Sequence, residues 1–223
     1  MLRKVSLWLY ISLALFSCQR SVQVPTSELQ AIDMWLEQAQ MASQDGQAIQ
    51  ADSLYGLAIN GLEDLYALDT TDIGFAERLA ELHYVVGNYN AGVAWYARVI
   101  QLDSLNMKAI YQLGRGAVQI GDTKLAHLMF EKAISMDDSD TLSRRVVQEL
   151  KMIGEESYGY GSELHAKGDT SSGSSYQIFG LSLLMTAFEI DSSRTDLAQR
   201  IVDYCYEIGD TEAADRYARM TQM

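Results

Sequence analysis

In 223 residues the chain has one proline, three histidines and two cysteines, and its acids far outnumber its bases. Each scarcity excludes something. His83, His127 and His165 fall on different predicted helices with no metal-ligand spacing between them, so no histidine metal site is expected. His83 falls on an inner helix face and reads as a core side chain. There is no HExxH, no GxSxG, no phosphate-cradling glycine loop and no paired-cysteine motif, so the sequence predicts no cofactor and no enzyme. Asp138, Asp140 and Glu149 occupy the first, third and twelfth places of a calcium-loop template. Ser143 takes the glycine place and Arg144-Arg145 follow it, which excludes calcium there. With 17 Lys and Arg against 30 Asp and Glu, the formal net charge is −13. A chain this acidic is repelled by nucleic acid and by anionic headgroups. The apolar run Val5–Phe16 is too short for the roughly 20 residues of a spanning helix.

What is present is a helical period. Met107–Asp140 reads as two short helices joined at Ile120-Gly121-Asp122. Ile110, Leu113, Gly114, Ala117 and Gly121 recur at helical spacing in the first helix. Leu125, Ala126, Met129, Phe130, Ala133 and Ile134 do so in the second. Gly121 suits a left-handed position after a helix end, and Asp122 suits the cap of the next. Gly114 and Ala126 allow two backbones to approach, with Leu113 and Phe130 filling the space beside them. The unit recurs: 121 − 87 and 137 − 103 are both 34. A helix–turn–helix at that period resembles the tetratricopeptide repeat, on Leu113-Gly114, Gly121-Asp122, Ala126, Phe130, Ala133 and Asp137. The proline that often follows the last Asp of such a repeat is absent. Ser104, Asp138 and Ser192 stand there and can still cap a helix.

The resemblance implies an all-α fold, a right-handed α-solenoid of helix–turn–helix repeats. Turn glycines at Gly46, Gly87, Gly121, Gly168 and Gly209 mark about five repeats within 28–223, at about 32–72, 73–106, 107–140, 141–194 and 195–223. Trp35, Ala39 and Ala42 line the first helix, opened by Ser27 as a capping-box residue. The second helix overruns through Leu62, Leu65 and Tyr66, since 87 − 46 is 41, seven more than the period. Seven residues are about two turns and keep the apolar face in place. Over 141–167 the period leaves open one long kinked helix or two broken at Gly154. Thr170–Ser175, TSSGSS, reads as a flexible inserted loop. Cys205 reads as a buried, inert thiol.

Residues 1–17 read as an export signal, with Arg3 and Lys4 before the apolar run. Leu15-Phe16-Ser17-Cys18 resembles the lipobox of bacterial lipoproteins. That resemblance implies cleavage before Cys18, a lipid on its thiol and anchoring in a membrane, with acyl chains in addition at the new amino terminus. Removing Arg3 and Lys4 takes the charge from −13 to −15. Cys205 is then the only free cysteine, so no internal disulfide forms. Residues 18–27 are the acylated cysteine and a polar tether carrying Pro25.

In this architecture a second face of each repeat's first helix lines a concave groove. At 100° per residue that face holds Lys108, Tyr111, Arg115 and Val118. Shifting by 34 adds Glu77, Glu81 and Tyr84. The matching frame adds Tyr158, Ser162 and His165, then Gln199, Asp203 and Tyr206. Tyrosine gives large contact area at low entropy cost, so a protein or peptide partner is expected along this trough. The alternative is that these rings pack between adjacent repeats. The functional expectation is a lipid-anchored adaptor or scaffold for protein–protein interaction in the bacterial cell envelope, on the outer membrane facing the periplasm. The other reading is a glycan- or nutrient-binding lipoprotein feeding an outer-membrane transporter.

The lipobox reading predicts that Cys18→Ser abolishes fatty-acid incorporation in metabolic labelling and leaves the chain unprocessed or soluble. Label retained by the Cys18→Ser protein contradicts it.

Overall fold

A computed structural model describes residues 26–220. The signal segment, Cys18 and nearly all of the tether lie outside the described residues. Those described form ten helices and no strand: α1 Thr26–Gln44, α2 Ala48–Leu68, α3 Ile73–Val85, α4 Tyr89–Leu102, α5 Met107–Gln119, α6 Thr123–Ser135, α7 Asp140–Ala166, α8 Thr170–Ile190, α9 Thr195–Ile208 and α10 Thr211–Met220. None of these is long and apolar enough to cross a membrane.

The turns follow from their residues. Each of the five turn glycines has a positive φ, between 74° and 91°, a conformation that costs other residues a Cβ–carbonyl clash. The residue after each glycine donates its N–H five positions back, as in Asp122 to the Ala117 carbonyl at 2.9 Å and Asp210 to the Cys205 carbonyl at 2.8 Å. This is the Schellman arrangement, which satisfies helix-end carbonyls. The same residue then caps the next helix: Asn88, Asp122, Asp169 and Asp210 each accept from the N–H three places on. Three residues thus end one helix and start another.

The chain divides into two compact units, the first ending at Thr71 and the second starting at Asp72. The first contains the α1–α2 hairpin. Ile32, Ala39 and Ala42 of α1 are buried, as are Ala51, Ala58, Leu62, Leu65 and Tyr66 of α2. Gly61 sits against Ile32 and Trp35, where a Cβ would come within 2.9 Å of Ile32. The expected overrun of the second helix is present: α2 has 21 residues. Ser27 is already inside α1 rather than before it.

The second unit holds four hairpins, α3–α4 through α9–α10. Its core runs from Ile110 to Tyr217 through Phe130, Ala133, Leu150, Leu184 and Ile201. Ala126 and Ala133 are fully buried, Gly114 faces the Phe130 ring, and Cys205 is buried with its thiol pKa pushed up by desolvation. His83 is also a core residue. The last helix shows a polar outer side, with Glu212, Asp215, Arg216 and Arg219 exposed and Ala213, Ala214 and Tyr217 inward. A polar outer side suits the final member of a repeat stack.

The central hairpin departs from the sequence expectation. Residues 140–166 form one continuous helix of 27 residues, which resolves the question at Gly154. Thr170–Ser175 is not a loop but the first turns of α8. Asp169 caps it through the Ser172 N–H at 3.1 Å. Ser and Gly composition suggested a linker; the glycine is there for packing. A Cβ on Gly173 would lie 2.8 Å from the Gly161 carbonyl, and one on Gly180 would lie 2.5 Å from the Gly154 carbonyl. Since 161 − 154 and 180 − 173 are both 7, each pair recurs two turns along antiparallel helices. The two backbones touch where no side chain could fit.

Gly180→Ala should therefore lower stability by about 1–3 kcal/mol through overpacking. Gly159→Ala, with nothing within 4 Å of the new methyl, should raise it by up to about 1 kcal/mol through helix propensity. Ala133→Leu should cost about 1–3 kcal/mol. Thermal and urea melts measure all three; equal effects at Gly159 and Gly180 contradict the close approach.

Candidate interaction face

The first helices of the second unit, α3, α5, α7 and α9, are tied in sequence by polar side chains. Glu77 accepts from Asn106 at 2.7 Å, Glu81 pairs with Lys108 at 2.7 Å, and the Tyr84 hydroxyl donates to the Gln112 carbonyl at 2.9 Å. These partners lie 29, 27 and 28 residues apart, so α3 and α5 run parallel in a fixed register. Between α5 and α7, Glu149 accepts from the Tyr111 hydroxyl at 2.7 Å and pairs with Arg115 Nε at 2.9 Å. Between α7 and α9, Lys151 pairs with Asp196 at 2.9 Å and Glu155 with Arg200 at 3.2 Å, both 45 residues apart. Arg194, at 2.7 Å, and Lys151 both donate to Asp196, and those two hydrogen bonds hold its carboxyl well below the usual carboxylate range.

The structure thus brings Glu77, Glu81, Lys108 and Arg115 of the frame together, adds Glu149, which the frame lacked, and decides the environment of the tyrosines. Tyr111 is 8 % exposed and Tyr158 only 2 %, so neither offers ring area to a partner. Their rings pack between repeats, as the alternative reading had it. Tyr84 is a wedge: a Cβ on Gly92 of α4 or Gly116 of α5 would overlap its ring. Burial raises the Tyr84 hydroxyl to about 12, and burial plus the Glu149 carboxylate does the same for Tyr111. Tyr158 lies face to face with Tyr204, centroids 3.5 Å apart and planes 2° from parallel. The Arg200 guanidinium sits 5.6 Å from the centre of the Tyr204 ring, where a cation favours a face that ring quadrupoles alone would repel. The Tyr158 hydroxyl donates to the Tyr204 carbonyl at 3.2 Å and to Glu207 at 3.0 Å. Tyr206 is exposed but turned to Asp215 of α10, 3.0 Å away. Asp203 is exposed and accepts from Gln199 at 2.9 Å.

His165 lies elsewhere, in a cleft of ≈ 430 Å³ lined also by Ser174, Gln177, Ile178, Glu207 and Ile208. Its Nε2 is 3.3 Å from Ser174 Oγ. Sequence reasoning named His165 and missed the other five, as well as Lys151, Glu155, Asp196 and Arg200. A signal existed for the latter four. Carrying the frame one turn back along α7 and α9 places acid opposite base at a constant offset. Among the described residues no group of three or more His, Cys, Asp or Glu could hold a metal.

Chemically this face is one of fixed, largely neutralised charge around buried phenols. Each exposed pair is worth about 0–1 kcal/mol, so together they set register more than stability.

No known protein family matches the chain, and no curated protein does. Among solved structures, MamA from Desulfovibrio magneticus RS-1 is 13% identical over 86% of this chain and 93% of its own, with a TM-score of 0.42. MamA MSR-1 is 17% identical over 89% and 96%, with a TM-score of 0.43. YrrB, described as a TPR protein with an unusual peptide-binding site, is 16% identical over 87% and 90%, with a TM-score of 0.39.

The wedge and stack give a direct test. Tyr158→Ala should cost about 3–5 kcal/mol, as for other buried rings, whereas Tyr158→Phe should lose only the hydroxyl's bonds, about 1–3 kcal/mol. Urea denaturation reads both, and a wild-type midpoint for Tyr158→Ala contradicts its place in the core. Its helix hairpins, their period and their glycine-ended turns make this an all-α protein of helix–turn–helix repeats, similar to the tetratricopeptide repeat.

Proposed function

We propose that the chain is a non-enzymatic adaptor that holds a protein or peptide partner in the bacterial cell envelope, anchored through a lipid on Cys18 to the outer membrane and facing the periplasm. The observation that carries the binding part is the row formed by α3, α5, α7 and α9. Cross-repeat ties from Glu77 to Arg200 fix this row before any partner arrives, and a preorganised surface loses little entropy on binding. The membrane part rests on the lipobox resemblance at Leu15–Cys18. The acidic composition turns the surface away from nucleic acid and toward basic proteins.

A second reading, a lipoprotein that captures glycans for a transporter, is favoured by one observation. Tyr160 and Tyr176 form an edge-to-face pair 4.8 Å apart and remain 47% and 43% exposed, a surface on which a sugar ring could stack.

Site-specific photocross-linking from Gln148 and Asp203 in the native envelope separates the two. The adaptor reading predicts a discrete protein adduct from these positions and none from Ser53 on the first unit. A glycan adduct from Tyr160 favours the second reading. A hydrolytic activity lost with Ser174→Ala would overturn the non-enzymatic assignment.

A further inference from the structure

We propose that the cleft between the tip of the α7–α8 hairpin and the C-terminal end of α9 receives a lysine or arginine side chain of the protein partner. This deepens the adaptor reading and rests on it. The cleft forms where α7 runs past the end of α9: most of its extra length, 27 residues against 14, lies at its N-terminal end, and three residues extend beyond the end of α9. In their parallel register of 45, Ile208 stands beside Glu163, so the end of α7 and the start of α8 overhang. Beneath that overhang lies the space of ≈ 430 Å³.

Its lining specifies a cation on an aliphatic stem. Ile178 and Ile208 supply apolar walls and are 61% and 37% exposed. Lysine and arginine lay their methylenes along such walls while the charged head reaches a polar end. That end is Glu207. Its Oε2 accepts from Tyr158, which fixes the carboxylate, and no lysine or arginine pairs with it among the described residues. Glu207 also lies in the last turn of α9, the negative end of the helix dipole, where a cation is favoured. An anion would meet Glu207 directly, and an apolar group would strip water from its carboxylate with nothing in return. Gln177, whose Nε2 donates to Ser162 at 3.1 Å, keeps its Oε1 to accept from a cationic head, and Ser174 lines the cleft beside His165, 3.3 Å from its Nε2. At longer range the chain's net charge of −13 draws basic partners toward the cleft.

The test uses the processed chain and a fluorescein-labelled alanine peptide carrying lysines, beside the same peptide carrying glutamates, with anisotropy read at physiological salt. The lysine peptide should bind saturably and the glutamate peptide should not. Glu207→Gln, which keeps the acceptor for Tyr158, should weaken binding about tenfold or more, the scale of one charge-assisted hydrogen bond. Ile178→Ser, at an exposed position, should weaken it too with an unchanged melting temperature, whereas Asp138→Asn, remote in the α6–α7 turn, should not. Absence of lysine-peptide binding, equal binding of both peptides, or equal loss with Asp138→Asn and Glu207→Gln overturns the proposal. Envelope cross-links that persist undiminished in Glu207→Gln also overturn it while leaving the adaptor reading standing. Absence of protein cross-links from the wild-type chain sinks the adaptor reading itself.

Discussion

Backbone contact between α7 and α8 is the constraint on which the second unit depends. Gly154 meets Gly180 and Gly161 meets Gly173 at separations that exclude a Cβ. Glycine inside a helix is unfavourable by about 1 kcal/mol relative to alanine, so four buried glycines in one hairpin are justified only by what the approach brings. It lets a helix of 27 residues and one of 21 run together as a slab. One flank of that slab takes α5, through Glu149 and Tyr111. The other takes α9 and α10, through Tyr158 on Tyr204 and Phe188 on Tyr217. At its C-terminal end α7 runs three residues past α9, and the turn into α8 forms the overhang there.

Tyrosines carry the connection from repeat to repeat. Tyr84 reaches from α3 to α5, Tyr111 from α5 to α7 and Tyr158 from α7 to α9, each ending in a hydrogen bond on the next helix. A phenol spans that gap because its body is apolar and its tip is polar. The ion pairs beside them are partly exposed and individually weak, yet they repeat at constant offset and so disfavour a slipped register. With the rings committed inward, what this row leaves exposed is its charged rim and the cleft at Glu207.

Much of this was legible in the sequence. All five turn glycines, the Asp122 cap, the overrun of α2 and the buried Ala126 and Ala133 follow from period and local chemistry. Those features are decided within a few residues, where sequence is informative. For Tyr84, Tyr111 and Tyr158 the sequence leaves open a groove face or packing between repeats, because a helical wheel gives direction and not the distance to the next helix. A ring one residue from the groove face can still lie between two repeats. TSSGSS misled for a related reason: serine and glycine are flexible by composition, but Gly173 is fixed by Gly161 on another helix. The cleft is not legible in the sequence because it depends on where α7 ends relative to α9, and Gly154 alone leaves open whether 141–167 is one helix.

Native-state hydrogen exchange measures the central claim directly, that the α7–α8 slab holds its flanks as one cooperative body. Amides at Ile110 of α5, Leu150 of α7, Leu184 of α8 and Ile201 of α9, all buried, should exchange with a common opening free energy close to that of global unfolding of this unit. Exchange of α7 and α8 at a lower free energy than α5 and α9, with the flanks still protected, would contradict the account.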